Sequence, residues 1–358
     1  MEPFEPEPVP VFPHRRFPRW PWVLVALALL AGAAVLVLWP VKVPYFAMSP
    51  GPVEEVADLI TIEGVEQYPP NGDLFLLTVG LREVNIFEYL EAQFDPQVDL
   101  IAREVIRPAG VTQEQQTRTN LQAMEGSIDA AIYVALTRLG YEVGFTGDGV
   151  RVLQVVEGSP AEGALQVGDV ITHVEGKAVL TADDAGALIR TYQIGDTVTL
   201  TGTRDGEPLS VDVTLAPHTE VEGAPMVGVA LETVNLDLDP PIDLDIDPRN
   251  IGGPSAGMMY AITVLELLTE EDLAKGHRIA GTGTIQTDET VGAIGGVRQK
   301  VYAARSVGAE FIMVPTDNYP DALTAAGDDI EIVAVATLQD ALDFLDSLEP
   351  VAAAVASS

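Results

Sequence analysis

Ser255 lies in Ile251-Gly-Gly-Pro-Ser-Ala-Gly257, and Lys300 closes Ile294-Gly-Gly-Val-Arg-Gln-Lys300. A serine hydroxyl is a poor nucleophile until a nearby base takes its proton. Lysine can be that base only where burial lowers its pKa toward neutrality. A helix after Gly296 would place Lys300, Ala303, Ala304 and Val307 at i, i+3, i+4 and i+7, on one apolar stripe. Arg298, Gln299 and Arg305 would take its other faces. The chain has only four lysines, so one on an inward face is not surface decoration. Around the serine, Gly253 lets the backbone approach a substrate closely, and Pro254 starts a helix where its missing N–H is no loss. Ser255 then sits where unpaired N–H groups and the positive helix end can stabilise an oxyanion. Alone, such a serine reads as a helix cap. With Lys300 it reads as half of a nucleophile–base pair.

Competing chemistries fare worse. The chain has no cysteine, which removes disulfides, thiolate metal sites and a cysteine nucleophile. His14 precedes an apolar segment, His173 falls in a strand pattern, His218 in a linker, and His277 after Gly276 reads as a solvated loop residue, so no Ser-His-Asp triad is spelled out. There is no His-Glu-x-x-His motif and no Gly-x-x-x-x-Gly-Lys-Ser/Thr phosphate loop. Asp243, Asp245 and Asp247 alternate with apolar residues, but Pro248 stands where a calcium loop needs glycine, so they read as the solvated face of a strand. A net charge of −35 repels phosphate backbones and argues against nucleic acid as a partner. No cofactor is expected.

The elements that must position the pair follow from patterning. Residues 1–19 begin Pro- and Glu-rich and read as a disordered cytoplasmic tail. Residues 20–41 are uncharged and almost wholly apolar, flanked by Trp20, Trp22 and Trp39; at about 1.5 Å per residue they can span a hydrocarbon layer of roughly 30 Å. Arg15, Arg16 and Arg19 precede this stretch and only Lys42 follows it, which places the N-terminus inside and the bulk of the chain outside the cell membrane as a single-pass protein. Residues 74–79 read as a buried strand, 86–94 as a short helix, and 112–139 as a longer helix capped by Thr112 with Gln115. A β-rich stretch with a helix opened by Thr181 occupies 141–217. From 218 to 348 come a strand near 227–233, a buried helix from Ser255 to about 268, short strands near 281–285 and 290–294, the Lys300 helix, strands at 311–315 and 330–335, and a closing helix at 338–348. Residues 349–358 read as a loose tail. The class is mixed α/β, of α+β type.

Two resemblances sharpen this reading. Val150-Arg-Val-Leu-Gln-Val-Val156, Glu157-Gly-Ser-Pro-Ala161, Gly168-Asp-Val-Ile171 and Glu175-Gly-Lys177 recur in that order in PDZ domains, which residues 141–217 resemble. The likeness implies capture of an extended peptide, often a C-terminus, with a carboxylate loop near 141–145. Gly253-Pro-Ser-Ala-Gly257, Ala280-Gly-Thr-Gly283 and Ile294-Gly-Gly-Val-Arg-Gln-Lys300 resemble the proteolytic domain of the Lon family of Ser-Lys peptidases. That resemblance implies Ser255 as nucleophile and Lys300 as general base then acid. It also implies that Thr282 orients the amine, and that N–H groups at and just before Ser255 form an oxyanion hole, with Gly253 and Pro254 in supporting roles. The whole is similar to membrane-bound, PDZ-containing Lon-like proteases, in which the PDZ module is inserted into the protease fold. Residues 42–140 would then complete the protease core. Unfolded or flexible polypeptides are the expected substrates, and Lon-like domains often form rings, which implies a homo-oligomer. Two other readings compete: an inactive PDZ-bearing envelope scaffold, which needs neither hydroxyl nor buried amine, and a phosphate-binding enzyme, which the acidic charge disfavours.

Overall fold

A computed structural model describes residues 20–351 except 219, 220, 222 and 250. The expected cytoplasmic tail at 1–19, and 352–358 of the expected loose tail, lie outside the described residues. Along the chain come α1 (Trp20–Leu38), β1 (Lys42–Glu55), β2 (Ile60–Glu63), β3 (Asp73–Asn85), α2 (Ile86–Ala92), β4 (Asp99–Ala102), α3 (Arg103–Ile106) and α4 (Gln113–Arg138). Next are β5 (Gly144–Thr146), β6 (Val150–Val155), β7 (Val170–Val174), β8 (Lys177–Ala178), α5 (Ala182–Ile189), β9 (Thr197–Arg204), β10 (Glu207–Thr214), β11 (Ala216–Pro217), β12 (Pro225–Met226) and β13 (Val229–Thr233). The remainder holds β14 (Asp237–Asp239), β15 (Asp243–Ile246), α6 (Gly257–Leu268), β16 (Arg278–Gly281), β17 (Thr284–Ile285), β18 (Val291–Gly292) and α7 (Val297–Ser306). It closes with β19 (Phe311–Pro315), α8 (Tyr319–Ala326), β20 (Glu331–Val335) and α9 (Leu338–Ser347).

The chain divides into two compact units, one of residues through Ser49 with Gly80–Val111, the other of Pro50–Val79 with everything from Thr112. In the first, β1 pairs antiparallel with β4 from Tyr45↔Ala102 to Met48↔Asp99. A reciprocal Asn85/Glu88 capping box opens α2. The described apolar side chains of α1 are exposed, Leu36 at 78 %. Among the described residues, no helix is long and apolar enough to cross a membrane.

In the second unit the main sheet runs β20-β19-β16-β3-β1. β16 lies parallel between β3, with Ala280 opposite Phe75, and β19, with Ala280 opposite Ile312. Helices cover both faces, as parallel strands require, so the strands are continuous apolar runs. The period-two rule sorts β3: Leu74 and Leu76 enter the core shared with α4, α6 and α9, while Phe75 and Leu77 enter the core shared with α7 and α8. Helix α6 is buried around its whole circumference, matching its lack of a polar face. β15 pairs with β2 and alternates as expected, Leu244 and Ile246 inward, Asp243 and Asp245 outward.

The β-rich stretch forms an antiparallel sheet in the order β10-β9-β7-β6-β13 around its own core. Its helix α5 opens on the Thr181/Asp184 capping box. One expectation fails here. The segment at 141–145 does not border the groove beside α5: β5 pairs with β14, and the Phe145 ring packs on Tyr133 of α4. The edge strand facing α5 is instead β13, which comes from beyond the β-rich stretch and pairs with β6. Strand order along the sheet is not strand order along the chain.

Candidate active site

The sharp turn 253–256 delivers Ser255 two residues before α6, which begins at Gly257 with Ala256 as an N-cap that makes no side-chain bond. The expected helix start at Pro254 is therefore displaced by one turn of loop. Two donors hold the turn through the carbonyl of Ser255 itself: Gly283 N–H at 2.9 Å and Thr282 Oγ1–H at 3.1 Å. Thr282, fully buried at the end of β16, is anchored in turn by its N–H on Met313 O at 3.0 Å. Lys300 comes from the first turn of α7. That helix is opened by Gly296 in the left-handed region at φ 69°, where a side chain would be strained. Asn318 fixes the approach to this turn by pairing its amide with Ile294, accepting from its N–H at 2.8 Å and donating to its carbonyl at 3.0 Å.

These pieces converge. Lys300 Nζ lies 2.7 Å from Ser255 Oγ and 2.7 Å from Thr282 Oγ1. The amine is 2 % exposed, and burial alone pulls its pKa from 10.5 down to about 7. Near neutral pH much of the lysine is therefore a free amine able to accept the Ser255 proton. The Thr282 hydroxyl gives its one hydrogen to Ser255 O, so it meets Lys300 as an acceptor. Holding one N–H in this way leaves the lone pair of the neutral amine available to Ser255. Such an arrangement can activate a serine for attack on a carbonyl carbon.

The structure thus brings Ser255, Lys300 and Thr282 together, with Pro254 and Gly253 in the adjoining turn. Pro254 has no N–H, and the Gly253 N–H, expected to face substrate, donates to Asn120 O of α4 at 2.9 Å. The Ser255 and Ala256 N–H groups are the remaining candidates in this turn for oxyanion donors. Gln299, expected off the stripe, is buried along with Val297 and Val301, because α7 is covered by the sheet and by α8 over more than one face. The described histidines, His173, His218 and His277, lie elsewhere, and His14 lies outside the described residues. His277, expected in solvent, is mostly covered, bonded to Glu310 and to Glu349 O at 2.9 Å each. Sequence reasoning missed Asn318 and the α4 residues Asn120 and Ser127. Only the small pair Gly126-Ser127 within an otherwise larger helical pattern signals a close approach at that point.

A second concavity, a groove of about 400 Å³, runs between α5 and β13. Ala185 and Ile189 form one wall and Met226, Val227, Gly228 and Val229 the other. The free edge of β13 borders it, as strand addition requires.

Comparison with known proteins finds two matches along the chain. Residues 137–215 match the family model of the PDZ domain, and residues 248–345 that of the Lon protease (S16) C-terminal proteolytic domain. Lon protease 2 of Bacillus subtilis (strain 168) is 37 % identical over 93 residues, 26 % of this chain and 16 % of that protein. Lon protease of Campylobacter concisus is 35 % identical over 94 residues, 25 % of this chain and 11 % of that protein. The chain spans about a sixth or less of the length of these two relatives. Among solved structures, the PDZ domain of the SdrC-like protein from Listeria monocytogenes is 30 % identical with a TM-score of 0.23, covering 24 % of this chain and 90 % of that one. The chain therefore carries a serine peptidase domain of the Lon protease (S16) type, joined in one polypeptide to a PDZ domain.

Proposed function

We propose that the protein is a membrane-tethered serine endopeptidase that needs no ATP and cleaves unfolded or flexible polypeptides selected through its PDZ groove. The observation that carries the reading is the contact of 2.7 Å between a dry, near-neutral lysine amine and the Ser255 hydroxyl. In the first step Lys300 Nζ takes the Ser255 proton as Oγ attacks the scissile carbonyl carbon, and the carbonyl oxygen becomes an oxyanion facing the Ser255 and Ala256 N–H groups. The ammonium so formed returns the proton to the departing amine when the C–N bond breaks, leaving an acyl-serine. Water then attacks the ester, again giving a proton to Lys300, and the Ser255 oxygen recovers it on release of the acid. Thr282 keeps the amine aimed through both halves.

The edge of β13 and the apolar walls of the groove suit an extended peptide with an apolar end. The turn 225–228 at the mouth of this groove is in place to hold a terminal carboxylate by backbone N–H groups. Residues 50–79 and 112–140 belong with the protease core in this reading, because β3 pairs with β16, β2 with β15, and α4 packs on α6. The uncharged stretch at 20–41 is the proposed anchor, with the peptidase outside the membrane. A homo-oligomer is the proposed assembly.

The test is cleavage of casein by the full chain in detergent, comparing wild type with Ser255→Ala and Lys300→Ala. Both variants should remain folded and lose nearly all turnover. Wild-type turnover in either variant rejects the pair.

A further inference from the structure

Helix α4 reaches the nucleophile's turn at two points on one face, two helical turns apart. Asn120 O accepts the Gly253 N–H at 2.9 Å, and the Ser127 hydroxyl donates to Pro254 O at 2.9 Å. Ser127 is 5 % exposed, and its hydroxyl serves the nucleophile's turn instead of bonding back to its own helix, the usual partner of a mid-helix serine. The approach is close because residue 257 is glycine. A Cβ there would lie 2.5 Å from Ser127 Oγ and 3.1 Å from the Ile285 nitrogen.

The peptide joining Pro254 to Ser255 is planar, and in a trans peptide its C=O and N–H point in opposite directions. Among the described residues there is no cis peptide bond. A donor that fixes the Pro254 carbonyl toward α4 therefore aims the Ser255 N–H away from α4. The other contact on that carbonyl is the turn bond from Gly257 N at 3.4 Å, longer and weaker. We propose that Ser127 is a positioning residue of the peptidase, setting the direction of the Ser255 N–H so that it meets the developing oxyanion. This rests on the serine-peptidase reading above. Ser127 touches neither substrate nor the reacting atoms; it acts through one peptide plane.

Such a role separates transition-state from ground-state effects, because the oxyanion exists only after attack. The experiment uses the full chain in detergent as wild type, Ser127→Ala, Ser127→Cys and Ser255→Ala, with a fluorogenic unfolded peptide and a peptide boronic acid that mimics the tetrahedral adduct. Removing an oxyanion donor lowers kcat by about 100- to 1000-fold, so misaiming one should lower it by about tenfold or more. For Ser127→Ala the expected result is such a fall in kcat, KM within about twofold of wild type, and an acid limb of the pH profile at the wild-type position. Boronic acid affinity should fall by the same factor as kcat. Ser127→Cys, with a weak S–H donor, should lie between the two. An unchanged kcat overturns the proposal, as does a fall in kcat with boronic acid affinity intact or with the acid limb displaced. If Ser127→Ala does not fold, Ser127→Cys decides alone: lowered kcat and boronic acid affinity support the role, and wild-type values overturn it. The control distinguishes the two layers of inference. Turnover that survives in Ser255→Ala sinks the peptidase reading and this proposal together, whereas a silent Ser255→Ala beside a wild-type-like Ser127→Ala sinks only the proposal.

Discussion

Lys300→Met removes the amine while keeping an unbranched side chain of similar volume, and the structure fixes what that should do to stability. Burial holds the Lys300 pKa at about 7 where the unfolded chain has 10.5. At about 1.4 kcal/mol per pH unit, that difference corresponds to roughly 5 kcal/mol. The sign follows from proton counts. Above pH 10.5 the amine is neutral in both states. Between 10.5 and about 7 the unfolded chain holds a proton that the folded chain does not, so stability is lost as pH falls. Below about 7 both states are protonated and the loss is complete. The Met variant lacks this dependence, and the other titrating groups cancel in the comparison. The stability of Lys300→Met relative to wild type should therefore rise by about 3–4 kcal/mol from pH 10 to pH 7. Urea unfolding at several pH values measures it without any substrate. A difference that stays constant over that range would show that the amine is hydrated in solution, and the base would lose its physical footing.

Four further outcomes follow. The kcat/KM of wild type should rise with pH through about 7 and then level, as the free amine forms; a profile flat from pH 5 to 9 contradicts Lys300 as base. Thr282→Val, similar in shape but without the acceptor, should lower kcat by about tenfold or more and move the acid limb to lower pH, because the ammonium loses its hydroxyl partner. Gly257→Ala forces a contact with a backbone nitrogen of β17 and should destabilise by about 1–3 kcal/mol in urea unfolding. Gly186→Leu fills the groove beside α5, where a Cβ meets only the flexible Arg190 guanidinium; calorimetry should show at least about tenfold weaker binding of a peptide with an apolar C-terminal residue, with casein cleavage of unanchored fragments retained.

Much of this was readable from residues in a row. Caps announced themselves: Thr112 with Gln115, and Thr181 with Asp184, open helices where local chemistry demands them. Unbroken apolar runs gave the parallel strands, and alternation gave β15. The site was legible because Ser255, Thr282 and Lys300 each sit in short segments whose glycines and apolar stripes are unusual locally. What escaped was chemistry that depends on elements meeting across the fold. Ser127 is an ordinary residue in a helix until Pro254 is placed above it, and Asn318 is one more loop amide until Ile294 is beside it. The peptide groove escaped for the same reason: the PDZ resemblance implied a carboxylate loop near 141–145, whereas pairing of β13 with β6 brings residues 229–233 to the edge beside α5.

The partnership of β16 with β3 joins positions about two hundred residues apart in the chain. A fragment that starts after the β-rich insert would keep hydroxyl and amine yet leave β16 with one bare flank, its amides and carbonyls open to any passing strand. Such a piece is built to stick to copies of itself. Synthesis from the N-terminus poses a related difficulty, since β3 emerges long before β16 and must wait with that flank unpaired until the β-rich stretch between them has been made.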